Sequence, residues 1–117
     1  KSLRITFTMT FSSKTVRRLN ELNDINNQLK LVAKQSQDPQ EQYVLTGKIF
    51  MNYVEYVFME MREAYRLGST VDQVLDQNVY FKECEIENLD QSGKDYWMAV
   101  HSLARVYFRK HYLLDEP

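Results

Sequence analysis

Apolar and polar residues alternate from Leu3 to Phe11. Leu3, Ile5, Phe7, Met9 and Phe11 are apolar, and Arg4, Thr6, Thr8 and Thr10 are polar. A period of two puts the apolar side chains on one face of a strand and the polar ones on the other. Thr, Ile and Phe also favour strands. The period changes after Phe11. Ser12 or Ser13 can cap a helix, and Val16, Leu19 and Leu22 follow at helical spacing. A lone strand leaves backbone donors and acceptors unmatched, so this one is expected to pair.

Helical spacing dominates the rest. Leu22, Ile25, Leu29 and Val32 extend the first helix toward Ser36, while Asn26-Asn27 offers a break. Asp38-Pro39 reads as an N-cap followed by the first position of a long helix, which runs to Leu67 with Gly68 as its C-cap. Tyr43, Gly47, Phe50, Val54, Val57, Met61 and Ala64 form one stripe; Leu45, Ile49, Tyr53 and Tyr56 form a second. A helix apolar over that much of its surface is central or packs against another chain. Ser69 or Thr70 caps a short helix holding Val71, Val74 and Leu75. Residues 79–86 read either as a second strand or as an irregular link. Asp90 to Gly93 reads as a loop, and a last helix begins near Lys94.

The 117 residues are enough for one domain with a real core. Charge changes the picture more than length does. Residues 1–34 carry Lys1, Arg4, Lys14, Arg17, Arg18, Lys30 and Lys34 against Glu21 and Asp24, a balance of +5; the remainder carries −6. Such asymmetry points to a polyanion at one end of the chain. The chain divides into a strand–helix segment, residues 1–37, and an acidic helical region, residues 38–117. A single cysteine, Cys84, provides no internal disulfide and fits a reducing, cytoplasmic setting. No apolar run approaches a membrane span, and no secretory signal is read.

Phe7-Thr8-Met9-Thr10-Phe11-Ser12, followed by Val16, Leu19 and Leu22, resembles the start of the ribbon-helix-helix DNA-binding family. The resemblance covers residues 3–25. It implies that two chains pair their strands antiparallel and lay the ribbon in the major groove of double-stranded DNA. Carried over, Arg4, Thr6, Thr8 and Thr10 would face the bases. Ser12, Ser13 and Lys14 would meet phosphate at the helix start. Arg17 and Arg18 on the same helix are basic enough to neutralise phosphate. The chain departs from the family after Leu22, where Asn-Asp-Ile-Asn-Asn-Gln replaces the usual short turn.

Other chemistry is poorly represented. His101 and His111 are ten residues apart on one helix, with no Cys or carboxylate pattern to complete a zinc site. Cys84 sits among Glu83, Glu85 and Glu87, which disfavour a thiolate. Glu55, Glu60 and Glu63 lack a Glu-x-x-His pattern and read as a solvated face. No phosphate loop occurs. The expectation is therefore a non-enzymatic protein without metal or cofactor. Its expected fold is mainly α: an N-terminal strand, about four helices, and strand pairing across a homodimer. Its expected function is sequence-specific DNA binding, as in a plasmid or phage repressor, a partition protein or a DNA-transfer (conjugation) accessory factor. The acidic helical region would extend the dimer or dock a protein partner. The rival expectation is a small helical protein-interaction module, of inhibitor or immunity type, with no nucleic-acid role.

Overall fold

The computed structural model describes residues 11–76 and 89–112. They form four helices: α1 Ser13–Gln35, α2 Pro39–Arg66, α3 Val71–Leu75 and α4 Gln91–Tyr112. Each of the first three starts where its capping chemistry dictates. The Ser12 hydroxyl accepts from the Thr15 N–H at α1, and Asp38 accepts from the Gln40 N–H ahead of Pro39 at α2. Thr70 and Gln73 form a reciprocal capping box at α3. Gly68, with φ of 110°, takes the left-handed conformation that lets the chain leave α2.

α2 is the centre of the molecule. α1 runs antiparallel along one side: Ser12 meets Glu63, Arg18 meets Glu55, and Asn26 meets Ile49. α4 runs parallel along the other: Tyr96 meets Phe50 and Tyr53, and Phe108 and Tyr112 meet Tyr65. The main core lies between α2, α3 and α4. Val54, Val57, Met61 and Ala64 of α2 are buried with Val74, Val100, Ala104 and Phe108. Edge-to-face rings close its flanks, including Phe50 on Tyr96 at 5.6 Å and Tyr65 on Phe108 at 5.7 Å. Leu19 and Leu22 supply the buried apolar residues of α1.

Three expectations are corrected. The fold is helical, and no strand occurs among the described residues. Residues 3–10 of the expected strand lie outside them. Phe11, its last apolar position, is buried within the same chain, and Ser12 already caps α1. Strand pairing across a homodimer is therefore not seen among the described residues. What they show instead is α2 packed against α1, α3 and α4 of its own chain. Second, α1 does not break at Asn26-Asn27. Asn26 is 2% exposed; its amide donates to the Ile49 carbonyl at 3.2 Å and accepts from Asn52 at 2.9 Å. Satisfied by α2, it has no need of a turn. Third, α4 begins at Gln91 rather than Lys94, because the Asp90 carboxylate accepts the Gly93 N–H at 2.8 Å. Residues 79–86, including Cys84, lie outside the described residues. None of the helices is long and apolar enough to cross a membrane.

Candidate functional site

The two directions of packing bring three helix ends together. The start of α1, the end of α2 and the end of α4 line one shallow cleft of about 280 Å³, to which Lys14, Thr15, Arg62, Glu63, Arg66 and Tyr112 contribute. Lys14, Arg17, Arg62, Arg66 and Lys110 are all exposed at this end. Two carboxylates of α2 share it, and both are buried: Glu60 is 2% exposed and Glu63 is 6% exposed. Solvent at this end therefore meets the cations of α1, α2 and α4, with Asp72 of α3 and Asp76 at its C-cap as the exposed carboxylates.

Glu63 is the pin of the arrangement. It accepts from the Ser12 backbone N–H at 2.6 Å and from Arg66 Nε at 2.9 Å and Nη2 at 3.0 Å. Its pKa lies below the ordinary carboxylate value, first because of the Arg66 hydrogen bonds, against burial, and then because of Ser12. Arg66 is raised in return. α1 has no acidic residue in its first turn. Glu63 supplies from α2 the negative charge that a helix start favours, and ties α1 to the end of α2.

Cations at the ends of α2 and α4 have an ordinary structural use, since Arg66, Arg109 and Lys110 sit where exposed carbonyls favour positive charge. Lys14 has none. It lies in the first turn of α1, where a cation is unfavourable by about 0.3–1 kcal/mol. Arg17 lies on the next turn and adds charge of the same sign.

The sequence-predicted residues divide accordingly. Ser12 is the N-cap, and its side chain is committed to Thr15. Ser13 is exposed at the first position of α1. Lys14 and Arg17 belong to the cationic end. Arg18 does not serve it: its guanidinium bonds Glu55 at 2.9 and 3.1 Å and also pairs with Glu21. Those bonds, Glu55 first, hold its pKa above the ordinary arginine value. Arg4, Thr6, Thr8 and Thr10 lie outside the described residues, which begin at Phe11, at this same end.

Sequence reasoning missed Arg62, Arg66 and Lys110. They come from the part of the chain with net negative charge, and only the packing of helices brings Arg62 and Arg66 to Lys14. The opposite end shows no such surplus: Asp38, Glu41, Asp90 and Asp95 accompany Lys34 and Lys94 there. The histidines are structural or lateral. His101 is fully buried, with Trp97 at 6.4 Å, and His111 is exposed with its ring 5.7 Å from Phe58. No group of three or more His, Cys, Asp or Glu suited to a metal ion occurs among the described residues.

A second surface feature runs along α2. One groove of about 670 Å³ is lined by Ile25, Leu29, Val44, Lys48, Met51 and Asn52. A second, of about 550 Å³, continues from Met51 and Asn52 past Glu55 and Phe58 to Tyr107 and Lys110.

No protein-family model matches the chain, and no curated protein or solved structure does either.

Proposed function

We propose that this chain binds a polyanion, double-stranded DNA, through its cationic end. The observation behind the reading is the set of exposed cations, Lys14, Arg17, Arg62 and Lys110, drawn from three helices to an end where Glu60 and Glu63 are buried and Glu63 is already matched by Arg66. Phosphate contacts supply most of the affinity of such a surface and make it salt-dependent, because each contact releases condensed counterions. Lys14 adds an argument of its own, since it stands where it costs the helix stability and an anion would relieve it. The ribbon is absent from this reading. Phosphate binding needs only the described helix ends.

The test is a fluorescence-anisotropy titration of duplex DNA at several salt concentrations. Binding should weaken steeply with salt. Replacing Lys14, Arg17 and Arg62 together by Ala should flatten the log–log salt slope by roughly one unit for each cation removed. Salt-independent binding, or none, would overturn the reading. The second reading, a protein-interaction module without nucleic-acid binding, is favoured by the apolar groove along α2, and becomes the better one in that event.

A further inference from the structure

We propose that the exposed face of α2 is the contact surface for a second copy of this chain, with two antiparallel α2 helices crossing at Met51. The face is a stripe with alternating four- and three-residue steps: Val44, Lys48, Met51, Glu55, Phe58 and Arg62. Such steps keep side chains within one narrow sector of a helix. Val44 is 45% exposed and Met51 43%. The adjoining grooves extend the stripe sideways to Ile25 on α1 and Tyr107 on α4, which are 39% and 42% exposed. Val44 and Met51, with the grooves beside them, are apolar surface that α1, α3 and α4 leave uncovered.

The charges on the stripe identify that complement. A two-fold axis through Met51 reverses the direction of α2 in the second copy. Met51 then faces its own counterpart, Val44 faces Phe58 of the other copy, and Lys48 comes within one residue, about 1.5 Å of helix rise, of Glu55. By symmetry each of the last two pairings occurs twice, so the stripe is complementary to itself in both apolarity and charge. A parallel arrangement about the same residue would oppose Lys48 to Lys48 and Glu55 to Glu55. Glu55 already takes Arg18 from its own chain, yet its side chain keeps 40% exposure, which leaves an edge for a second cation.

The pairing has one consequence that rests on the nucleic-acid reading. The end of α2, around Arg62 to Arg66, lies about 20 Å along the helix from Met51 at 1.5 Å per residue. The two cationic ends of the dimer would then stand ~40 Å apart, roughly one turn of duplex DNA.

Sedimentation velocity of the intact chain across the micromolar range tests the pairing. The expected species has twice the 14.0 kDa chain mass; a monomer throughout would overturn the proposal. Met51→Asp should give a monomer with unchanged helical circular dichroism, and a persistent dimer would place the interface elsewhere. The charge register has its own test, which does not depend on the Met51 variant folding. Lys48→Glu and Glu55→Lys should each weaken self-association about tenfold or more, by setting like charges opposite. Mixed, the two variants should associate as the unaltered chain does. Failure of the mixture to associate overturns the antiparallel register. A monomer that still binds duplex would defeat this inference and spare the function proposed above; a dimer blind to duplex would do the reverse.

Discussion

The two ends of the helical layer are built from the same three helices and differ in how their charges are placed. At the end holding the start of α2, charge follows the helix dipoles: Asp38 and Glu41 open α2, and Lys34 closes α1. Each is where unpaired backbone groups favour its sign. At the opposite end, Arg66 and the basic last turn of α4 also follow the rule. Lys14, in the first turn of α1, breaks it. The nearby carboxylates of α2 are buried, and Glu63 is committed to Ser12 and Arg66. Most charges at the first end are thus explained by helix stability, Lys94 near the start of α4 excepted. The other carries positive charge that stability does not require, which is what a binding surface looks like when read through energetics.

The largest stability effect should come from the pin at the cationic end. Glu63→Ala leaves the Ser12 N–H without its acceptor and should cost about 1–3 kcal/mol, read by chemical denaturation. The same carboxylate gives a pH signature. Its pKa is lowered in the folded state, so its contribution is present above the unfolded pKa and is lost as pH falls through the folded one. Hydrogen exchange at the first amides of α1, taken relative to the intrinsic exchange rate at each pH, should therefore accelerate as pH falls below the ordinary carboxylate range. Glu63→Ala should abolish that acceleration; an unchanged profile would mean that another group anchors α1.

At the opposite end, Asp38→Ala removes an ordinary N-cap and should cost about 1 kcal/mol, without affecting affinity for duplex. A loss of binding there would erase the contrast between the ends. Smaller still is Arg18→Ala. Arg18 and Glu55 are more than a third exposed, so their pairing is well screened and should contribute under about 1 kcal/mol. Its effect on binding should be slight, which separates Arg18 from Arg17 one position earlier.

Much of the helical layout was legible because local chemistry decides it. Asp38-Pro39, Gly68 and Thr70 mark helix ends through their own side chains or backbone freedom, and the structure uses all three. What failed was decided by tertiary partners. Asn26 reads as a turn residue until Ile49 and Asn52 are seen to satisfy it. Arg18 reads as a phosphate ligand until Glu55, 37 residues on, is seen to hold it. The alternation ending at Phe11 reads as an edge in need of a partner, but Phe11 is buried in its own chain. The candidate site was half legible. Lys14 and Arg17 follow from the basic first third. Arg62, Arg66 and Lys110 are hidden in the acidic remainder, and only the antiparallel α1 and parallel α4 bring them into view.

The most direct test compares the ends within one titration. Lys14→Ala with Arg62→Ala removes two charges from the cationic end, and Lys34→Ala with Lys94→Ala removes two from the other. Net charge falls equally in both double variants. Binding of duplex DNA should lose about two units of salt slope in the first pair and none in the second. Equal losses in the two pairs would show that only overall charge is read, and would contradict a binding surface built from three helix ends.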